Sequence, residues 1–162
     1  MLAGRGYEVI AVSGKAESVD YLKSLGAAQV LLRQEIDYGK RPLEAARFGG
    51  AIDNVGGEML TWLTRTVDNW GNIASIGLAG GADLHTTVMP FILRGVNLLG
   101  INSSATLRDM RLVVWNRIAT DLKPRHLERI ATRTIAFDDL PGSFDAYLQG
   151  TVTGRAVIKI GS

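Results

Sequence analysis

The run Val9-Ile10-Ala11-Val12 is apolar at every position and stops at Ser13-Gly14. An alternating pattern would mark a strand with one wet face. An unbroken one suits a parallel strand covered on both faces. The strand is expected over Tyr7 to Val12. Ser13-Gly14 is small enough for the backbone to turn, and Lys15 opens a helical stretch with Ala16 and Glu17. In an open parallel sheet, ligands bind beyond the carboxyl ends of the strands, and in the dinucleotide-binding case the second strand ends at the adenine ribose. An acidic residue there accepts hydrogen bonds from a free 2′-hydroxyl. A hydroxyl, a bare amide and a cation suit a dianionic 2′-phosphate instead. Ser13, Gly14 and Lys15 are therefore candidate phosphate ligands, and NADP is the expected cofactor. The same string would also serve a plain strand, turn and solvated lysine, so the rest of the chain decides.

Taken in order, Met1 to Gly6 reads as the last turn of a helix, with Gly4 and Gly6 as stops and Arg5 at the negative end of the dipole. A domain that starts on the stub of a helix implies an upstream part. After the first strand, a helix is expected over Ala16 to Leu25, with Val19, Leu22 and Leu25 on one face and Gly26 closing it. A strand follows at Gln29 to Leu32, then a polar, irregular stretch from Gln34 to Phe48. Further strands are expected at Gly50 to Val55, Gly71 to Ile76, Val96 to Ile101, Arg133 to Phe137 and Arg155 to Ile160. Helices are expected at Glu58 to Asn69, Thr87 to Arg94, Leu107 to Leu122, His126 to Thr132 and Asp139 to Gln149. Strands alternating with helices at this spacing make βαβ units and a mostly parallel sheet flanked by helices, in one α/β domain.

Composition narrows the function classes. With 46% hydrophobic and 21% charged residues over 162 positions, the chain is globular and has an ordinary core. A formal net charge of +2, spread along the chain, gives no footprint for nucleic acid. The absence of cysteine removes disulfides, thiolate zinc sites and a cysteine nucleophile, and fits a cytoplasmic protein. His85 and His126 lie far apart, so no metal is expected. Val88 to Ile101 is the longest apolar stretch and is broken by Pro90 and Arg94, so no membrane span or signal segment is expected.

Four strand ends carry small or polar residues: Ser13-Gly14, Asn54 before Gly56-Gly57, Gly77 to Gly81, and Asn102-Ser103-Ser104. In one parallel sheet these would line one crevice, where glycine lets a ligand approach the backbone. Such loops also need glycine and caps for their own turns. Arg33 ends the second strand and is either a second cation for the phosphate or a solvated arginine. Asp53 reads as a cap for the helix after Gly56-Gly57. His85 and Thr86-Thr87 read as loop and cap. Trp62, Trp70 and Trp115 read as packing residues. The basic run Arg125 to Arg133 reads as a solvated helix face. A dinucleotide site also needs a first strand and a glycine-rich turn that holds the pyrophosphate at a helix N-terminus. No such turn occurs before a helix here, and the remaining elements match the domain from its first helix onward.

Val9-Ile-Ala-Val-Ser-Gly-Lys15, Tyr21-Leu-Lys-Ser-Leu-Gly-Ala27, Gly50-Ala-Ile-Asp-Asn-Val-Gly56, Ile76-Gly-Leu-Ala-Gly-Gly81 and Thr86-Thr-Val-Met-Pro-Phe-Ile-Leu-Arg94 resemble the acryloyl-CoA reductase group. This is a zinc-free, NADPH-dependent branch of the medium-chain dehydrogenase/reductases whose members also carry the label quinone oxidoreductase. The likeness runs over essentially the whole chain, and the last string is the most specific. It implies a Rossmann-like, NADP-binding domain resembling the C-terminal part of alcohol dehydrogenases, here over residues 1–162, without the first strand and glycine-rich turn and without a GroES-like catalytic domain. It implies reduction of an α,β-unsaturated carbonyl, acryloyl-CoA to propanoyl-CoA, or of a quinone or enone.

Carried over by position, Ser13, Gly14 and Lys15 would bind the 2′-phosphate, with Arg33 beside them. Asn54 would contact the cofactor from the next strand end. Leu78 and Ile92 would flank the nicotinamide half, Ser103 would contact it, and Arg155 would close the same pocket. No catalytic residue is assigned, because the resemblance places substrate-positioning groups mainly in the absent domain. The expected partners are a small acyl-CoA or enone substrate and a second copy of the chain, paired through the edge strand Val96 to Ile101. A second reading makes the chain a non-catalytic remnant that keeps the fold and dimer surface. A third makes it another α/β binder of the methyltransferase kind, which would want an acid where Lys15 stands.

Overall fold

The computed structural model describes residues 1–161. In chain order the elements are β1 (Ile10–Ser13), α1 (Val19–Ser24), β2 (Gln29–Leu32), β3 (Phe48–Asp53), α2 (Gly57–Thr66), β4 (Val67–Ser75), α3 (Met89–Arg94), β5 (Asn97–Gly100), α4 (Arg108–Ala119), α5 (Leu127–Ile130), β6 (Ala131–Ala136), α6 (Phe144–Leu148) and β7 (Arg155–Lys159). Every strand pairing is parallel. The Rossmann-like α/β reading therefore holds. The chain divides into two compact units, Met1–Ile36 with Leu112–Ser162 (unit 1) and Asp37–Arg111 (unit 2).

Unit 2 holds a three-stranded sheet in the order β3-β4-β5. Its core forms around α2, where seven of ten residues are buried: Met59, Leu60, Thr61, Trp62, Leu63, Thr64 and Thr66. Trp62 is 2% exposed and meets the rings of Tyr38 and Phe48 edge-on at 5.9 and 5.3 Å. Val67, Ile73 and Val96 close the core from the sheet side. The buried hydroxyls are satisfied locally, Thr64 donating to Thr61 O at 2.8 Å and Thr66 to Trp62 O at 2.9 Å. That arrangement avoids the desolvation cost of an unpaired hydroxyl.

α2 stops three residues earlier than its apolar spacing suggests, and Val67 to Trp70, expected at the helix end and beyond, begin β4. Arg94 explains the break. Its guanidinium donates to Arg65 O at 2.9 Å, Val67 O at 3.3 Å and Glu44 O at 2.5 Å. A cation at the carbonyl end of α2 satisfies groups the helix would otherwise leave open, and favours termination there. Trp70 is a correction to its reading as a packing residue: it is 79% exposed and has a positive φ of 62°.

Unit 1 holds two separate pairs, β1-β2 and β6-β7. In the dinucleotide-binding order 3-2-1-4-5-6, the first strand lies between the second and the fourth. Among the described residues no strand hydrogen-bonds β1-β2 to β6-β7 or to the β3-β4-β5 sheet. Of the described residues in unit 1, only Ser18 is buried. α4 has no buried residue, and Trp115 on it is 60% exposed, which corrects its reading as a packing side chain. The helix expected over His126 to Thr132 is the single turn α5, and Ala131 and Thr132 already belong to β6. The helix expected from Asp139 is tighter 3-10 structure over Phe137–Ser143, with Pro141 inside it, before α6. Proline lacks the N–H an α-helix interior needs.

Candidate functional site

In unit 1 the parallel register sets Ser13 opposite Leu32, so Gly14 and Arg33 leave the two strand ends side by side. A Cβ added to Gly14 would lie 3.2 Å from Arg33 Nη2 and 3.6 Å from Cζ. The guanidinium thus lies against the bare Gly14 backbone. The turn is held by its own serine: Lys15 N–H donates to Ser13 Oγ at 3.0 Å, and the Ser13 hydroxyl donates to Lys15 O at 3.2 Å. Lys15 Nζ reaches back to the chain and donates to Val152 O at 3.0 Å. Arg33 is exposed, and its side chain makes no hydrogen bond or ion pair among the described residues. A hydroxyl, a bare amide and two cations are therefore gathered at one strand end. Chemically this set fits a dianion: arginine offers a planar fork of donors, and lysine a point charge. Arg155 starts β7, and its Nη1 donates to Gly154 O at 2.8 Å, the carbonyl of its own neighbour.

In unit 2 the three parallel strands bring three loops to one sheet edge. Asp53, 2% exposed, accepts from Val55 N–H at 3.2 Å and from Gly56 N–H at 3.0 Å, and so shapes the turn into α2. It forms this turn and does not cap α2 as expected: the helix N-cap is Gly56, with no side-chain cap bond. Gly56 has a φ of 71°, and a Cβ there would strike Gly81 O, so glycine is required for two reasons at once. The loop after β4 zips onto the loop after β3, with Ile76 N–H donating to Asp53 O and Gly80 N–H to Val55 O, both at 2.7 Å. The glycine-rich strand ends thus serve backbone-to-backbone packing of two loops. Asn54 at the tip is exposed, and Leu78 and Ile92 are 65% and 73% exposed. Ser103 is exposed after β5, and its carbonyl accepts from Arg111 Nη2 at 2.7 Å. Thr86 pairs its hydroxyl with Thr64 at 2.9 Å, and Thr87 Oγ1 accepts from Met89 N–H at 3.3 Å, so both act as packing and turn groups.

Of the nine expected ligands, then, Ser13, Gly14, Lys15 and Arg33 gather in unit 1, with Arg155 at the start of β7. In unit 2 Asn54, Leu78 and Ser103 follow the ends of β3, β4 and β5, whereas Ile92 stands on α3, whose Arg94 bonds the start of β4. The tie from Lys15 to the Val152 carbonyl was missed by sequence reading. The two residues are 137 positions apart, and a backbone acceptor leaves no mark in the side-chain pattern.

The sequence pattern of the zinc-binding dehydrogenases matches residues 1–120. AcuI of Ruegeria pomeroyi, an acrylyl-CoA reductase, is 47% identical over 161 residues, which is 99% of this chain and 48% of its own. YhfP of Bacillus subtilis, which carries a quinone oxidoreductase name, has been solved with NAD bound. It superposes with a TM-score of 0.93 at 41% identity, covering 98% of this chain and 49% of that one. YhdH of Escherichia coli K-12, solved with NADPH bound, gives a TM-score of 0.89 at 40% identity over 99% of this chain and 49% of that one. This chain spans about half the length of the relatives it matches.

Proposed function

The chain belongs to the zinc-binding dehydrogenase family, and from that starting point we propose that it is the cofactor-binding part of an NADPH-dependent oxidoreductase. The observation that carries the reading is the end of β1: Ser13, Gly14 and Lys15 with Arg33 alongside, in a place where NAD-selective sheets put an acid. Ser13 and the two cations bind the 2′-phosphate. Asn54 and Ser103 supply uncharged hydrogen bonds, Leu78 and Ile92 cover the nicotinamide half with apolar surface, and Arg155 approaches from the C-terminal side. When bound, NADPH supplies a hydride. The substrate is an α,β-unsaturated carbonyl, an acyl-CoA thioester such as acryloyl-CoA or a quinone or enone. In an enoyl thioester or enone the β-carbon would take the hydride and the α-carbon a proton; in a quinone the product would carry its protons on oxygen. No residue of this chain is given the proton-transfer role.

Among the described residues no group of three or more His, Asp or Glu side chains is placed to hold a metal ion, and none is assigned to a metal here. No helix among them is long and apolar enough to cross a membrane. We place the protein in the cytoplasm. β5 is the outer strand of its sheet, hydrogen-bonded on one side to β4, and Leu99 on it is 46% exposed. Pairing this strand with its copy across a two-fold axis would satisfy the open backbone groups, so a homodimer is proposed. Fluorescence titration of the chain with NADPH and NADH tests the central reading. NADPH is expected to bind roughly tenfold tighter or better, from charge-assisted contacts to one phosphate. Equal affinities would sink it.

A further inference from the structure

The sheet of unit 2 has two unlike faces. Successive residues of a strand point to opposite faces, and the register sorts them into rows. Ala51, Ile73 and Leu98 form one row, and Ile73 is fully buried on the side where α2 packs. Ile52, Ala74 and Leu99 form the next row, on the other face. Ile76 and Ile101 continue that face, their N–H groups donating to Asp53 O at 2.7 Å and to Ser75 O at 2.9 Å. Its four large side chains, Ile52, Ile76, Leu99 and Ile101, are each at least 45% exposed. Gly50, Asn72 and Asn97 border the patch at the start of the strands, and none of these residues is charged.

A parallel sheet ordinarily has both faces covered, so this one is half of a packing unit. Its relief indicates what completes it. Ala74 on the central strand lies between Ile52 and Leu99 on the outer two, so the row is low in the middle and raised at its sides. The outer strands stand about 10 Å apart, the diameter of an α-helix. A second copy would bring the same hollow against this one and leave a gap. The relatives have more chain to offer: the matched residues are 48% of AcuI and 49% of YhfP. We propose that this face seats an amphipathic helix, uncharged along its buried stripe, supplied by polypeptide that the relatives carry outside the matched half. One large apolar side chain of that helix drops over Ala74, between Ile52 and Leu99. Its neighbours three and four positions on meet Ile76 and Ile101.

The chain has no cysteine, so an introduced thiol reports on one position. Ile52→Cys and the exposed control Lys40→Cys are made in the 162-residue chain and in a chimaera, AcuI with its matched residues exchanged for this chain. Should the fusion not fold, the remainder of AcuI is co-expressed beside the chain. Ile73→Cys, buried in the sheet, must stay unreactive in every preparation that is read. Relative to Lys40→Cys, the maleimide reaction of Ile52→Cys should be at least about tenfold slower in the chimaera than in the chain alone. An unchanged ratio would mean that the face stays in water and would overturn the proposal. A rate in the chain alone that falls as its concentration rises would put a second copy there, and would overturn it too. Leu99→Cys carrying a short diazirine then identifies the occupant. Photo-adducts are expected on AcuI-derived residues spaced three and four apart. Adducts spaced two apart would make the occupant a strand, and adducts confined to residues 1–162 would mean that this chain covers its own face; either outcome refutes the helix.

Discussion

Unit 2 and unit 1 are built from the same parts, short parallel strands joined through helices, but only unit 2 has a dry core. Met59, Leu60, Trp62, Leu63, Val67, Ile73 and Val96 are all buried and all in unit 2. In unit 1 the corresponding apolar residues stay half open: Ile135, Leu140, Phe144, Tyr147, Leu148 and Ile158 line an open cavity of about 540 Å³ beside the β6-β7 pair. The difference follows from how much is packed on the helix. α2 is covered on one side by β3 and β4 and on others by the segments that bring Tyr38, His85 and Thr86 against Trp62, Thr61 and Thr64, whereas no residue of α1, α5 or α6 in unit 1 is buried. The side that carries the proposed phosphate cations is therefore the softer one, and segments of low local stability are where binding sites commonly lie.

The largest expected effect tests that contrast directly. Trp62→Ala removes a ring that touches Tyr38 and Phe48 in the dry core, and should cost about 3–5 kcal/mol. Leu148→Ala, at 85% exposure, should cost less than about 0.5 kcal/mol. Urea unfolding with residue-level hydrogen exchange separates the two. Comparable losses would mean that unit 1 is as tightly built as unit 2.

Next comes Arg94→Met, which keeps the aliphatic stem and removes three hydrogen bonds to carbonyls at the end of α2 and in the loop before β3. Bonds to a charged donor contribute roughly 1.5–3 kcal/mol each at the upper end, and they are not additive, so a total of about 2–3 kcal/mol is expected. The sharper readout is local: amides of Val67 and Asp68 should exchange faster, because the carbonyls that fix the helix-to-strand switch have lost their partner. Gly56→Ala should follow at about 1–3 kcal/mol, from a φ of 71° and the clash with Gly81 O. This loss should appear with no nucleotide present. A variant as stable as the wild type, defective only in binding, would return the glycine to a ligand role.

These positions also show what the sequence could and could not reveal. β2 was legible to the residue, because Gln29 to Leu32 is a short apolar run between Gly26 and a polar stretch. The fold class and the parallel pairing were legible from the alternation of such runs with helices. The end of α2 was not. Leu60, Leu63 and Val67 keep helical spacing, and nothing local breaks it. The stop comes from Arg94, 27 positions beyond Val67. The same limit applied at the candidate site. Ser13, Gly14 and Lys15 could be picked out by residue type, but the partner of Lys15 is a backbone carbonyl near the other end of the chain. The glycines at the ends of β3 and β4 were read as room for a ligand, and the structure uses them for loop-to-loop backbone contact.

The smallest expected effect compares one ion pair from each unit. In unit 2 the Glu44 carboxylate accepts Arg41 Nη2 at 2.7 Å and the Arg41 backbone N–H at 2.8 Å, and these bonds hold its pKa below the ordinary value. In unit 1 Asp121 accepts Arg117 Nη2 at 2.8 Å, and that side-chain bond lowers its pKa against an opposing push from desolvation. A carboxyl whose pKa is lowered in the folded state adds stability above its unfolded pKa, about 3.9 for Asp and 4.3 for Glu. That contribution is lost as pH falls through the lowered folded value. Arg41, Arg117 and Asp121 are exposed and Glu44 is largely covered, but each pair opens to water through its arginine, so neither should shift global unfolding measurably at neutral pH. The local consequence differs. Glu44 is also anchored through its main chain, its N–H on Arg65 O at 3.1 Å and its carbonyl under Arg94, so acid should leave its loop in place. Asp121 lies just past the end of α4, a helix with no buried residue, and acid should fray that end first. Amide exchange from pH 6 down to pH 3, corrected for intrinsic rates, should show protection falling at Thr120 to Leu122 and holding at Glu44. Asp121→Asn should show the low-pH pattern at every pH. Equal loss at both sites would mean that the dry core of unit 2 does not extend its protection to the loop before β3.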